Sequence, residues 1–313
     1  MATILVTYGM PDDGFEALAG HRIVRPEPLK HFTKEELLAK IPEADAVLGA
    51  SKMDADVIRA AKNVKIIANY GAGYDSIDVR TAAEAGIPVT NIPETVTEAT
   101  AELAIGLTMA VLRRIGEKNL RMRTEGPESQ FGMYFEMGRN LKGSVMGVIG
   151  VGRIGRRTAE LARALGMETV GYSRHGAPAD VVRPVPLDEL LAVSDVVSLN
   201  CPLTEETRDL INAETIAKMK PGAVLINTSR GAVVDSDALA DAIENGHLFG
   251  AGLDVFPDEP HVPERLMKLP NVVLTPHVGS NTAQTRRIMV EACVQQILDA
   301  LAGKRPRSIV NGL

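Results

Sequence analysis

Tryptophan is absent from this chain of 313 residues, and aromatic residues make up only 4% of it. The core is therefore expected to be aliphatic. The composition also argues against an aromatic platform for sugars or single-stranded nucleic acid. Cysteine occurs twice, at Cys201 and Cys293. Two thiols are too few for a disulfide framework, and they read as reduced residues of a cytoplasmic protein. Long apolar runs are missing too. The longest, Leu103–Leu112, is about half of the roughly 20 residues a membrane span needs. Positive charge is not in excess: 34 Lys and Arg stand against 40 Asp and Glu, a net charge of −6. No global attraction to nucleic acid or an anionic membrane follows from that balance. Met1–Thr7 lacks a basic segment before its apolar residues, so no signal peptide is expected. His21, His31, His175, His247 and His261 show no metal-ligand spacing, and no metal is expected.

What remains is ordinary globular composition, 45% hydrophobic and 24% charged, at a length that suggests about two domains. Short β-branched runs alternate with amphipathic segments. Strands are expected at 3–6, 22–24, 46–48, 64–68, 144–149, 168–172, 196–199, 223–226, 250–253 and 271–274. Helical patterns lie at 34–40, 54–61, 153–165 and 236–244. This alternation implies an α/β protein with parallel sheets covered on both faces. The pattern restarts after Leu141-Lys142-Gly143, which implies two doubly wound domains. Between the two sets, Glu94–Ile115 reads as one long helix capped by Thr95 or Thr97. The polar stretch Glu117–Asn140 after it reads as an arm toward a second subunit or as a surface connection. Met133, Phe135 and Met137 within it read as packing or interface residues.

Gly150-Val151-Gly152-Arg153-Ile154-Gly155 follows an apolar strand and opens a helix. That context is what a dinucleotide fingerprint requires. Gly150 permits the tight turn, Gly152 lets backbone N–H groups approach a pyrophosphate, and Gly155 lets helix and strand lie close. The helix N-terminus adds partial positive charge. A carboxylate usually ends the next strand and accepts from the ribose 2′-OH. Here the strand ends Tyr172-Ser173-Arg174-His175. A hydroxyl and a guanidinium suit a 2′-phosphate, so NADP(H) is expected in preference to NAD(H), with NAD(H) use left open. His175 is a candidate neighbour of that phosphate.

Three more polar groups follow apolar strands: Arg230 after Asn227-Thr228-Ser229, Glu259 after Asp254–Asp258, and His277 after Thr275-Pro276. Ligands bind at the carboxyl ends of such strands. Reduction of a 2-oxo acid needs a cation for the carboxylate and a proton donor for the ketone oxygen. Arg230 offers a planar fork, His277 is the natural donor near neutral pH, and Glu259 beside it favours the imidazolium.

In this order and spacing, the fingerprint, Asn227–Gly231, Gly252–Phe256 and Thr275–His277 resemble the D-isomer-specific 2-hydroxyacid dehydrogenase family. Asn69–Asp78 is similar to its substrate loop, and Thr97–Glu102 to the start of its interdomain helix. The resemblance implies Arg230 as substrate anchor, Glu259 as support for the histidine, and His277 as acid/base. It implies backbone N–H groups of Ala72 and Gly73 as receivers of the substrate carboxylate. It places Asp254, Thr228 and Ser229 at the nicotinamide end, Cys201 and Pro202 at the adenosine end, and Thr97 near phosphate or ribose, with Gly279 as a further cofactor contact. Ser173-Arg174 is similar to the NADPH-dependent glyoxylate, hydroxypyruvate and 2-ketogluconate reductase branch. That departure, and the expected lack of a C-terminal regulatory extension, argue against a phosphoglycerate dehydrogenase. Phe131 stands where the family often has Trp.

The expectation is a Rossmann/flavodoxin-like fold with an active-site cleft between two domains. The substrate domain is 1–98 with 285–313, and the dinucleotide domain is 99–284. The expected activity is NADPH-dependent reduction of a small 2-oxo acid such as glyoxylate or hydroxypyruvate, by a homodimer. The alternatives are an NAD-dependent dehydrogenase of another acid, such as D-lactate, and a non-catalytic dinucleotide sensor.

Overall fold

A computed structural model describes residues 1–49, 51–128, 131–132 and 134–313. Met133, read above as a packing or interface residue, therefore lies outside the described residues. The chain forms two compact units, Met1–Val96 with Ser280–Leu313, and Thr97–Gly279.

The first unit holds β1 (Thr3–Val6), β2 (Arg22–Val24), α1 (Lys34–Lys40), β3 (Ala46–Gly49), α2 (Ala55–Ala60), β4 (Ile67–Asn69), α3 (Val79–Glu84) and β5 (Val89–Thr90). Its sheet is parallel throughout, in the order β2-β1-β3-β4-β5. Local sequence fixes the helix starts. Thr33 and Glu36 form a reciprocal capping box on α1, and Asp54 and Asp78 cap α2 and α3. Leu5, Val47 and Ile67 of the sheet pack with Leu37, Val57 and Ile58 of the helices.

The second unit begins with α4 (Thr97–Leu112) and α5 (Ile115–Thr124). Here the expected single helix of Glu94–Ile115 is corrected. It starts at Thr97, and Thr95 donates its hydroxyl to the Ile92 carbonyl. It ends at Leu112, where Arg114 turns left-handed at φ 53° and a second helix starts. Buried Glu117 gathers Arg114 at 2.8 Å and Arg121 at 3.3 Å around it, and this ionic knot holds the bend. The first part of the expected arm or connection is thus helical.

Next come β6 (Val145–Ile149), α6 (Arg153–Ala164), β7 (Glu168–Tyr172), β8 (Arg183–Pro184), α7 (Leu187–Val193), β9 (Val196–Leu199) and α8 (Ala213–Ala217). They are followed by β10 (Ala223–Asn227), α9 (Ser236–Glu244), β11 (Leu248–Leu253), α10 (Glu264–Lys268) and β12 (Val272–Leu274). The strands form one parallel sheet, ordered β12-β11-β10-β9-β6-β7-β8. Residues of β9 and β10 are buried without interruption, as a sheet covered on both faces demands. Leu190, Ile216 and Leu239 of α7, α8 and α9 lie in one core cluster. Leu107 and Val111 of α4 and Ala159 of α6 lie in another, with Val148 and Ile226. The chain returns to the first unit as α11 (Ala283–Leu301), capped by Thr282 and packed on β3 and β4.

The remaining differences from the expected strands are short. β4 begins at Ile67 rather than Val64, and the two-residue strands β5 and β8 were too brief to register as a period.

Candidate active site

Because every strand of the second sheet runs the same way, the loops after β6, β7, β9, β10, β11 and β12 leave from one edge. The order turns back between β6 and β9, and that is where ligands bind such sheets. Gly150 sits there with φ +89°, and a Cβ on it would lie 2.6 Å from the Cys201 amide nitrogen. The loop after β9 therefore crosses directly over the loop after β6. A Cβ on Gly155 would lie 2.2 Å from the Gly150 carbonyl oxygen, while the space at Gly152 is open. Gly152 precedes α6, whose first turn carries no side-chain cap.

Ser173 accepts the Val151 N–H at 2.8 Å, tying the end of β7 to the glycine turn. Exposed Arg174 lies 3.3 Å from Glu206, and its Nε is 3.3 Å from His175 Nε2. Cys201 is buried, and burial pushes its thiol up to about 11, which makes it a packing residue rather than a nucleophile. Pro202 is exposed beside it and accepts from Thr207 through its carbonyl. Burial likewise pushes the Cys293 thiol of the first unit up.

On β10, Asn227 organises the following turn. It accepts from the N–H and hydroxyl of Ser229 and donates to the Arg230 carbonyl at 2.9 Å. A Cβ on Gly231 would meet the Phe256 carbonyl carbon at 1.9 Å. Only glycine lets the Arg230 turn lie against the loop that carries Glu259. The charge of Arg230 is felt by the Glu259 carboxyl.

Glu259 Oε1 accepts the Phe256 N–H at 3.0 Å, and Oε2 lies 2.7 Å from His277 Nδ1. Burial pushes the Glu259 carboxyl up, but hydrogen bonds from His277 and Phe256 and the charges of His277 and Arg230 outweigh it. The result is a carboxyl below its ordinary range. An ionised carboxylate only accepts, so His277 Nδ1 carries the proton in that contact and Nε2 is left for exchange.

His277 is exposed and left-handed at φ 52°. Asp254 holds that turn: its carbonyl accepts the His277 N–H at 2.8 Å. Its buried carboxylate accepts from Thr275, Val278 and Gly279 at 2.6–2.8 Å. Burial raises the Asp254 carboxyl above its ordinary value, and the three donors and His277 offset part of that rise.

The structure thus brings Arg230, Glu259 and His277 together, and brings Gly150, Gly155, Cys201, Ser173 and Arg174 to the same edge of the sheet. Thr97 opens α4, and Gly279 closes on Asp254. Ala72 and Gly73 belong to the first unit, after β4. Asn227, Thr275 and Glu206 were missed in the sequence, although Asn227 lies inside the segment that carries Arg230. Two buried polar atoms on neighbouring loops, Asn200 Oδ1 and Thr228 Oγ1, have no hydrogen-bond partner among the described residues. Orphaned groups beside an open glycine cradle and an uncapped helix start fit a polar dinucleotide. Among the described residues no cluster of three or more His, Cys, Asp or Glu could hold a metal ion. Among them, too, no helix is long and apolar enough to cross a membrane.

The chain is similar to known proteins over nearly its whole length. The family "D-isomer specific 2-hydroxyacid dehydrogenase, NAD binding domain" matches residues 105–279. A glyoxylate reductase of Thermococcus litoralis is 40% identical, over 98% of this chain and 96% of that protein. A hydroxypyruvate reductase of Thermotoga maritima is 41% identical, over 87% and 90%. A solved structure of an NADPH-dependent glyoxylate/hydroxypyruvate reductase from Sinorhizobium meliloti, with NADP and malonate, shares 32% identity at a TM-score of 0.87. It covers 99% of this chain and 96% of that one. By sequence, by fold and by its nicotinamide-dinucleotide-binding unit, the chain is an oxidoreductase that belongs to the D-isomer-specific 2-hydroxyacid dehydrogenase family.

Proposed function

We propose that this protein reduces small 2-oxo acids, glyoxylate and hydroxypyruvate first among them, to D-2-hydroxy acids with NADPH. The contact between His277 Nδ1 and an ionised Glu259, beside Arg230, carries the reading. Reduced nicotinamide, when bound, supplies the hydride for the carbonyl carbon. His277 gives the carbonyl oxygen its proton from Nε2. Glu259 fixes the ring and balances its charge. Arg230 binds the carboxylate of the substrate and orients the ketone. Ala72 and Gly73 of the first unit offer N–H groups suited to a carboxylate.

Gly150, Gly152, Arg153, Ile154 and Gly155 hold the pyrophosphate with the start of α6. Cys201 and Pro202 line the adenosine end, with Thr97 toward phosphate or ribose. Thr228, Ser229, Asp254 and Gly279 serve the nicotinamide end. Ser173 and Arg174 receive the 2′-phosphate. The exposed Arg174–Glu206 pair is weak enough for a phosphate to displace it.

The deciding experiment follows cofactor consumption over glyoxylate, hydroxypyruvate and pyruvate, with NADPH and NADH in parallel. Turnover with the first two acids and a lower KM for NADPH are expected. Turnover confined to NADH and pyruvate would replace this reading with a D-lactate-type dehydrogenase. Binding without turnover on any 2-oxo acid would make the protein a dinucleotide sensor. Arg174→Ala should raise KM for NADPH about tenfold, the worth of one charge-assisted hydrogen bond at an exposed site, and leave KM for NADH within twofold. Equal effects on both cofactors would remove Arg174 from 2′-phosphate recognition.

The enzyme is further proposed to act as a homodimer. Ile115, Leu120, Phe131, Tyr134 and Met137 are all exposed within one short stretch of the second unit, an apolar density that marks association surfaces. Sedimentation equilibrium should give the dimer mass, and Tyr134→Asp should weaken association at least about tenfold. A monomer at micromolar concentration would end this assignment.

A further inference from the structure

The first unit has a buried amide network that the chemistry above does not use. After β4 the chain makes the turn Asn69–Gly73. The Asn69 side chain donates to the carbonyls of Gly71 and Gly73, each at 3.0 Å. The Asn91 side chain, just past β5, donates to the carbonyl between them, that of Ala72, at 2.8 Å. The Ile92 N–H adds a second bond to Gly71, at 3.1 Å. Three successive carbonyls are therefore drawn to the protein side of the turn. In a trans peptide the N–H points opposite to the C=O it shares a plane with. Drawing in the Gly71 carbonyl turns the Ala72 N–H outward, and drawing in the Ala72 carbonyl does the same for Gly73. Among the described residues no acceptor takes either N–H. Ala72 is half-buried and Gly73 exposed, so the pair faces outward.

Asn91 is itself fixed from behind. It is buried, its carbonyl accepts from Gln296 Nε2 at 3.0 Å, and its N–H donates to the Ser308 carbonyl at 3.2 Å. Gln296 lies buried on α11, and its Oε1 accepts the Thr90 hydroxyl at 2.7 Å. The amide orientations follow from their partners. The Ala72 and Asn91 carbonyls only accept, so the amide of Asn91 and that of Gln296 must each turn its NH₂ toward them, while Gln296 also accepts from Thr90 through its oxygen.

We propose that Asn91, backed by Gln296, is a positioning residue that holds Ala72 and Gly73 as a two-pronged N–H seat for the substrate carboxylate. The proposal rests on the 2-oxo acid reading above. Two adjacent N–H groups aimed the same way form an anion-binding concavity, and the seat works only while the Ala72 carbonyl is held in.

The test uses the full-length enzyme with Asn91→Ala and Asn91→Asp. Asn91→Ala frees the Ala72 carbonyl. KM for glyoxylate should rise about tenfold, with kcat and KM for NADPH within about twofold, the signature of lost uniform substrate binding. Asn91→Asp puts a carboxylate against a carbonyl at about pH 8 and should raise KM further. At about pH 5 the introduced carboxyl regains a proton and can donate, since burial raises such groups. Its KM relative to wild type should then fall, which a merely structural role would not produce. Gln296→Met, which loses the donor to Asn91, should show a smaller rise and serves if the Asn91 variants do not fold.

Hydrogen exchange at Ala72 and Gly73 in the wild type, with NADPH and with or without oxamate, tests the underlying seat. Slowed exchange with oxamate is expected. Slowed exchange together with wild-type KM in every folded variant would overturn the role of Asn91 and leave the seat standing. Unchanged exchange in the wild type would remove the seat itself, and the proposal with it.

Discussion

Replacing His277 with Asn should lower kcat for glyoxylate reduction by about 10²–10⁴-fold, the usual contribution of a positioned general acid. NADPH binding, followed by nicotinamide fluorescence, should stay within about twofold, because that side chain is assigned no cofactor contact. The Glu259 carboxyl is held below the ordinary range, so it is ionised wherever the enzyme works, and it accepts the Nδ1–H at 2.7 Å. Nε2 is then the one ring position free to exchange a proton with substrate. Asp254 fixes where that nitrogen sits by holding the left-handed turn through its carbonyl and its carboxylate. An Asn at 277 tolerates the same backbone but offers no titratable proton. A variant that kept more than about a tenth of wild-type kcat would take His277 out of the mechanism.

The same contact sets a pH dependence. As pH falls through the lowered Glu259 value, the carboxyl gains a proton and stops serving as the ionised acceptor of Nδ1, so kcat/KM should fall on the acid side. Glu259→Gln keeps an acceptor for Nδ1 but carries no titratable proton, so this acid limb should be missing from it. Stability follows the same sense. A carboxyl whose folded value lies below its unfolded one contributes stability that is fully present above the ordinary carboxylate range. That contribution is lost as pH falls through the lowered value. Melting temperatures of wild type and Glu259→Gln should converge toward acid and separate near neutrality. An acid limb at the same pH in both proteins would show that the Glu259 carboxylate does not support the proton donor.

The parts of this site that could be read in the sequence are those that sit at strand ends. β6, β9 and β10 are buried on both faces and announce themselves as apolar runs, so whatever follows them falls at the ligand edge. The positions of Gly150, Arg230 and His277 at that edge were legible for that reason, and the glycine spacing marked the loop that we assign to the pyrophosphate. The break at Arg114 was not legible, because it depends on Glu117 being buried between two arginines, and nothing in the helical period of residues 97–124 marks that. Asn227, Thr275 and Asn91 were equally silent. Each is a small polar residue whose meaning comes from a backbone group brought near by the fold. The closeness of Arg230 to Glu259 rests on Gly231 lying against Phe256, a contact between two strands' loops that neither segment encodes alone.

That closeness shapes the second large effect. Arg230→Ala should lower kcat/KM for glyoxylate by about 10³-fold or more. Loss of a charged hydrogen-bonding partner costs about 1.5–3 kcal/mol of binding, and the misoriented ketone then costs further in kcat. Arg230→Lys separates the two parts. An ammonium keeps the charge but lacks the planar fork, so KM should recover in part while kcat stays at least about tenfold down. Beyond the proposed anchoring, Arg230 also acts on Glu259, which the Lys variant probes as well. Its charge helps hold the Glu259 carboxyl low. Removing it leaves Glu259 easier to protonate, so the Ala variant should lose activity toward acid earlier than wild type, whereas the Lys variant should not. Its guanidinium is already anchored through Nη1 to the Ser229 carbonyl at 2.8 Å, and Asn227 holds its backbone. The side chain is thus pre-aimed and loses little freedom when a carboxylate arrives. Wild-type KM and kcat in the Ala variant would move the anchoring of the substrate carboxylate to other groups, and an unaltered acid limb would limit Arg230 to substrate binding alone.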